Sequence, residues 1–300
     1  MLLALIWGAL AWRGNRSDVT PSMTERRQAY QHALNWFKNH EAEVLGDGNA
    51  ALWWMLRVAS EHQDEPYLKE LVQRARRQIF VGDNETVPWR RMVEPQASVV
   101  HDPALLAELS PYQKLFYHAV TCAPVELGVE GQTTTQFLEA NACRPMALKV
   151  FGRDNVCSTH QLMGVELTRQ MGCAVKPATG PLREELLADV RLQMHLDPVF
   201  KDAYIQRVLM LYWLAGPQAV KPVWLRQVFE QQRADGGWSG DRMFQGAPHW
   251  FQPWVFRQIW HKFWPSNFPP EDPPSDFHAT AQGLLLAALS LSDPGAQMAP

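Results

Sequence analysis

Residues 227 to 238, QVFEQQRADGGW, carry a helical pattern into the turn Asp235-Gly236-Gly237-Trp238. Further on, Asp276-Phe-His-Ala-Thr-Ala-Gln-Gly runs into an Ala/Leu-rich stretch ending near Leu289. The paired glycines admit left-handed backbone just past a helix C-terminus, so the first helix must stop there. A polar pair then opens the next apolar helix. Such punctuation is expected of helical hairpins stacked in a ring.

The rest of the chain keeps this rhythm. Alternating β-branched runs, the mark of strands, are almost missing, so the sequence predicts an all-α protein. Residues 24 to 43 form one expected helix with Thr24 as cap candidate and Tyr30, Ala33, Leu34 and Phe37 at helical spacing. Gly46-Asp-Gly48 breaks it. Helices over AALWWMLRVASEH and PYLKELVQRARRQIF follow, closing an up-and-down series before Gly82-Asp83-Asn84. Further helices are expected over 111–121, 132–141, 158–171, 181–195, 198–215, 220–231, 252–262 and 276–291. Two proline-rich excursions, 83–103 and 265–276, interrupt the series and read as rim or lid elements.

Helix starts pairing a small or polar residue with an apolar run recur at Asn49, Tyr117-His118, Ser158-Thr-His160 and Phe277-His278, with Tyr204 a poorer fifth. Self-similarity of this kind marks two-helix units, each unable to bury its apolar face alone, stacked as a solenoid or a ring. The irregular intervals and the DGGW turn favour the ring. Within it, Trp53, Tyr117, His118, Tyr204 and Trp238 are the expected cavity residues. The organisation reads as a short leader over 1–16 and one domain over 17–300.

With 46% hydrophobic and 20% charged residues the chain can bury a real core. Its net charge of −3 offers no basic stripe, which argues against nucleic-acid binding. Thirteen tryptophans against six tyrosines imply a large apolar core, an aromatic-lined cavity, or both. The opening run MLLALIWGALAW is too short for a spanning helix, which needs about 20 residues. It resembles a secretory signal ending in Ala9-Leu-Ala11, or a tether with Arg13 and Arg16 on the cytoplasmic side. Export, or association with a membrane surface, is therefore expected; a buried N-terminal helix in a cytoplasmic protein stays open. The cysteines Cys122, Cys143, Cys157 and Cys173 admit three pairings, and both local bridges and buried free thiols fit.

At Gln232-Arg-Ala-Asp235-Gly236-Gly237-Trp238 the chain resembles the Q-x-x-x-G-x-W repeat of terpene cyclases and the Gly-Gly-aromatic turns of protein prenyltransferase β subunits. Both families are α/α toroids, and the resemblance implies that fold, with Trp238 as a plug between hairpins. Ser275-Asp-Phe-His278 is similar to the start of the last inner helix of a prenyltransferase β subunit, where the matching histidine binds zinc. The protonating DxDD motif of hopene-type cyclases is missing from the sequence, which excludes that chemistry. The nearest counterpart of the prenyltransferase Asp-x-Cys pair is Asp154-Asn-Val-Cys157, at a different spacing.

Candidate chemistry gathers on a few residues. Asp154, Cys157 and His160, joined by His278 from another helix, form one conceivable mixed-ligand zinc set, though no metal or other cofactor is assigned. His160 and Glu166 lie six apart and do not share a helix face, so acid–base work would need partners from other helices. Glu166 and Arg169 invite an ion pair. The catalytic candidates are therefore His160, His278 and Glu166. The stretch 249–264 carries Phe256, Trp260 and Trp264 at helical spacing, readable as core, as a ligand wall or as an interfacial helix. The leading expectation is a protein that binds, and in one version processes, an extended apolar or isoprenoid-like ligand such as a lipid. A non-catalytic scaffold for a protein partner is the alternative. A glycan-processing toroid would need two cavity carboxylates, with Asp235, Glu166 and Asp276 as candidates.

Overall fold

A computed structural model describes residues 2–81, 87–98, 103–123, 125–126, 133, 138–143, 156–173, 179–197, 199–240, 243–244 and 274–292. The protein is predominantly helical, as expected. In chain order the helices are α1 (Leu2–Arg13), α2 (Met23–Asn39), α3 (Glu41–Val44), α4 (Ala50–Gln63), α5 (Pro66–Gln78), α6 (Arg90–Val93) and α7 (Pro103–Leu106). They continue as α8 (Pro111–Thr121), α9 (Cys157–Gln170), α10 (Thr179–Leu196), α11 (Asp202–Ala215), α12 (Pro222–Glu230) and α13 (Phe277–Leu291). Strands β1 (Val199–Phe200) and β2 (Met243–Phe244) pair antiparallel, Val199 opposite Phe244 and Phe200 opposite Met243. The chain divides into two compact units, residues 1–39 with 193–300, and residues 40–192. The expected helix over 252–262, the aromatic segment around it and residues 265–273 lie outside the described residues.

In the first unit, α2 turns Ala29, Tyr30, Ala33, Leu34, Trp36 and Phe37 inward, an apolar stripe at helical spacing. Its cap is Ser22, one residue before the helix, and not Thr24. The Glu25 amide donates to Ser22 Oγ (3.2 Å), while Glu25 Oε2 accepts the Ser22 amide (2.6 Å), a reciprocal capping box. Those bonds, followed by the pairing with Arg226, hold the Glu25 carboxyl down at about 2 from its ordinary 4.5. A group depressed in the folded state stabilises above its unfolded pKa and loses that contribution as pH falls through the folded one. Glu25→Gln should therefore lower Tm at pH 6. The difference from wild type should shrink from about pH 4.5 downward and vanish near pH 2, which a thermal-melt series in pH checks. Glu25 is 45% exposed, so solvent screening keeps the effect modest.

α13 runs antiparallel to α2. Phe37 near the end of one meets Phe277 at the start of the other, edge to face at 5.8 Å, and the buried Arg26 donates to Ser290 O at 2.7 Å. α11 packs on α13 with their leading ends together, so these two run in the same direction. Under α11, Arg207 is fully buried and donates to Asp197 Oδ2 (2.8 Å) and Gln193 Oε1 (2.9 Å). A helix over 198–215 was expected; instead Val199 and Phe200 are extended and α11 starts at Asp202. Pro198 drives Asp197 out of helical backbone, and Asp197 Oδ1 then accepts the Val199 amide in a side-chain turn. α12 runs alongside α2, tied by Arg226 to Glu25 (3.0 Å) and by Gln232 Nε2 to Ala29 O (2.8 Å).

The DGGW turn joins this unit together. Gly236 has φ +94, and a Cβ there would stand 2.3 Å from His32 O, so only glycine fits. Trp238 is fully buried between α12 and α13, against Gly283, and donates from Nε1 to Val228 O of α12 at 2.7 Å. α1 is also held here, Trp7 Nε1 donating to Leu196 O (2.8 Å) and Asn15 Nδ2 to His195 O (3.0 Å). Leu5 and Trp12 on its outer side are exposed. Among the described residues no helix is long and apolar enough to cross a membrane.

The second unit opens with the α4–α5 hairpin. Asn49 caps α4 by accepting the Ala51 amide at 3.2 Å, and Glu65 with Pro66 at the first helical position starts α5. The expected excursion over 83–103 is partly helical. α6 lies on α4, with Met92 and Val93 buried and Arg57 Nε donating to Met92 O at 3.0 Å. α8 and α9 run parallel in close contact, because Gly164 leaves room for Leu115: a Cβ on Gly164 would stand 2.4 Å from Leu115 Cδ2. The disulfide Cys122–Cys173 fastens the ends of this pair, Cys143–Cys157 ties the segment near residue 140 to the start of α9, and no free cysteine remains. Of the helix expected over 132–141, the structure describes only residue 133 and the end from 138 onward.

Candidate functional site

The leading ends of α11 and α13 bring an acid and a base together. Asp276 caps α13: its Oδ1 accepts the Ala279 amide (2.8 Å) and its Oδ2 the Gly240 amide (2.6 Å). Gly240 O in turn accepts the Asp202 amide (3.4 Å), so one loop positions both helix starts. The result places His278 Nδ1 3.7 Å from Asp202 Oδ2, with the histidine 44% and the aspartate 29% exposed. A half-open histidine beside a carboxylate can take up and release a proton, or present a ring N–H to a bound polar group.

One helical turn further along α13 lies Gln282, fully buried, whose carboxamide oxygen and nitrogen both lack a hydrogen-bond partner among the described residues. It shares a face with His278, Leu285 and Leu289, since i, i+4, i+7 and i+11 fall on one side of a helix. The opposite face, Thr280 and Gly283, is the one packed on Trp238. α11 repeats the arrangement: Asp202, Gln206 and Leu209 stand in the same register as His278, Gln282 and Leu285, and Gln206 and Leu209 are buried. Neither Asp202 nor Gln282 was singled out from sequence. The available signal was the shared spacing, a polar leading residue with glutamine four positions on.

Other expected site residues are engaged in packing within their own units. Tyr204 is buried and its hydroxyl donates to Gln227 Oε1. Trp238 is buried between α12 and α13 as described above. In the second unit Trp53 is fully buried and donates to Asp47 O (2.7 Å), and Tyr117 is buried against the ring edge of Trp89. His118 Nδ1 lies 2.6 Å from Ala123 O and is buried at the end of α8. His160, in the first turn of α9, bonds Val156 O through Nδ1 (2.9 Å) and stacks on Phe116. The buried Glu166 pairs with Arg169 and accepts from Gln170, the ion pair expected from their spacing.

The conceivable zinc set is dismantled by the disulfides: Cys157 is bonded to Cys143 and has no thiolate to give a metal, while Asp154 lies outside the described residues. Among the described residues no three histidine, cysteine or carboxylate groups gather as a metal site would require. The glycan carboxylates are likewise engaged, Asp235 Oδ1 accepting from Gly237 N (3.0 Å) and Ser275 Oγ (2.8 Å), Asp276 capping α13 and Glu166 held by Arg169. Compared with protein-family models, characterised proteins and solved structures, the chain matches none.

Proposed function

We propose that this chain is an α/α-toroid protein of an oxidising, extracytoplasmic compartment that binds an extended apolar ligand through the inner faces of its α11 and α13 helices. The carrying observation is the common pattern of those helices. They run parallel, open with Asp202 and His278 at 3.7 Å, and continue on the same face with glutamine and then leucine. A polar entrance leading to an apolar wall suits a chain-like molecule with one polar end. Support for the ring comes from α13, the last described helix, packing antiparallel on α2 near the start of the chain. Two disulfides support the compartment, since such bridges persist where thiols are not kept reduced.

Processing of the ligand rests on the His278–Asp202 couple as the acid–base group. Mass spectrometry of gently purified protein checks the reading: a co-purifying lipid, or uptake of an added single-chain lipid at one per chain, is expected. Protein that neither carries nor takes up any apolar molecule refutes it.

A further inference from the structure

α1, LLALIWGALAWR, is apolar all round and carries no charge before Arg13. A soluble helix of that composition is ordinarily buried on every side. Here the protein uses one side of it. Trp7 Nε1 donates to Leu196 O (2.8 Å), and at the far end Asn15 Nδ2 donates to His195 O (3.0 Å) while Asn15 Oδ1 accepts from Lys221 Nζ (3.3 Å), so the helix is clamped to the trailing end of α10. The other side presents Leu5, Gly8, Ala9 and Trp12, whose spacing of i, i+3, i+4 and i+7 lines a single helix face. All four are exposed, Leu5 by 64% and Trp12 by 74%, and a Cβ on Gly8 would meet no atom within 4 Å. We propose that this face lies in the surface of a lipid bilayer, making α1 an in-plane anchor that holds the first unit against anionic headgroups.

The chemistry around the face selects that occupant. Trp12 is the residue type that sits best at the boundary between acyl chains and headgroups, its ring on the apolar side and its N–H toward water. Arg13 is exposed on the flank of the face and Arg16 is half exposed just beyond the helix, where their long stems let the guanidinium groups reach lipid phosphates. They are the only charged side chains before Asp18, in a chain whose net charge is −3. Asp18 itself is held by Arg226 (3.2 Å), with Arg16 further off at 3.9 Å. The 12 residues of α1 measure about 18 Å, short of the ~30 Å hydrocarbon core, so the helix lies on a bilayer and does not cross it. A second copy of the chain is the poorer occupant: a face about 18 Å long and about 10 Å wide offers roughly 200 Å², against about 800 Å² per partner in a stable protein interface.

The test is co-sedimentation of the full chain with extruded vesicles of phosphatidylcholine alone and of phosphatidylcholine mixed with phosphatidylglycerol. Wild type should partition onto both, and more strongly onto the mixed vesicles. The double variant Leu5→Ser, Trp12→Ser should lose at least about tenfold in partitioning, because two large apolar side chains no longer enter the bilayer. Its Tm should match wild type, since both side chains are exposed. The double variant Arg13→Gln, Arg16→Gln should still bind but no longer distinguish the two kinds of vesicle. Wild type that stays in the supernatant with both vesicles overturns the proposal, and so does a Leu5, Trp12 variant that partitions like wild type. A wild-type dimer in sedimentation velocity that the same variant converts to monomer gives the face to a second copy and overturns it too. If that variant does not fold, vesicles brominated on the acyl chains near the headgroup decide the matter: they should quench wild-type tryptophan emission more than that of Trp12→Phe, and equal quenching refutes the anchor. Uptake of one lipid per chain, as proposed above, leaves the protein in the supernatant, so the two readings fail separately.

Discussion

Trp238→Ala is expected to cost about 3–5 kcal/mol of unfolding free energy, the range for deleting a large aromatic from a core. Against a whole stability of about 5–15 kcal/mol, that is enough to leave the first unit marginal. The indole is fully buried, its N–H is held by Val228 O, and its backbone amide donates to Thr280 Oγ1 at 3.0 Å. Removing the ring leaves a void between α12 and α13 and strands the Val228 carbonyl. The same contact predicts a reversal of sign at Gly283, where a Cβ would stand 2.5 Å from Trp238 Cε3. In wild type Gly283→Ala overpacks the site and should destabilise by about 1–3 kcal/mol. In the Trp238→Ala background the clash is gone, and the better helix propensity of alanine should make it stabilising by about 0.5–1 kcal/mol. Urea denaturation of the four proteins of this cycle measures both effects. Additive single effects would show that the ring does not rest on Gly283.

The legibility of this turn from sequence has a physical cause. A glycine pair after a helical pattern restricts the backbone to few conformations, and a tryptophan that follows has a helix end to fold against. Local chemistry decided the outcome. Where several local solutions compete, residue types alone could not choose. Ser22 and Thr24 are both good caps, and the choice fell on Ser22 because Glu25 stands three residues on to complete the reciprocal bonds. The helix expected from 198 begins at Asp202 because one aspartate turn and a two-residue strand pair outweigh apolar periodicity. The Cys122–Cys173 pairing depends on α8 and α9 running parallel, and the Cys143–Cys157 pairing on the segment near residue 140 lying at the start of α9, tertiary facts that spacing does not contain. Gln282 was invisible for a deeper reason: being unsatisfied is a property of everything around a side chain, and nothing in the residue name reports it. His278, in contrast, was found because it opens a helix at a recognisable polar pair, while its partner Asp202 arrives from a helix some distance away in the chain.

Replacing Cys122 and Cys173 together by serine is expected to cost about 4 kcal/mol, because the bridge closes a separation of 51 residues and so removes much freedom from the unfolded chain. The Cys143–Cys157 bridge closes only 14, and the corresponding double serine variant should lose about 3 kcal/mol or less. Local bonds widen the gap between the two. Around the shorter bridge, Gln161 accepts the Ala142 amide (3.2 Å) and donates to Ala140 O (2.8 Å), so the strap near residue 140 stays attached to α9 when the sulfurs are gone. Among the described residues no comparable hydrogen bond ties the segment at Cys122 to α9: Cys122 terminates α8 in left-handed backbone, φ 60, a conformation that an ordinary side chain adopts at a cost and that the bridge helps to hold. Guanidinium unfolding monitored with and without reductant separates the contributions. Wild type should fall on reduction toward the less stable of the two variants or below it, and a variant lacking both bridges should not respond to reductant at all. A larger loss from the short bridge than from the long one would mean that strain or residual structure, and not chain entropy, governs the stability of the second unit.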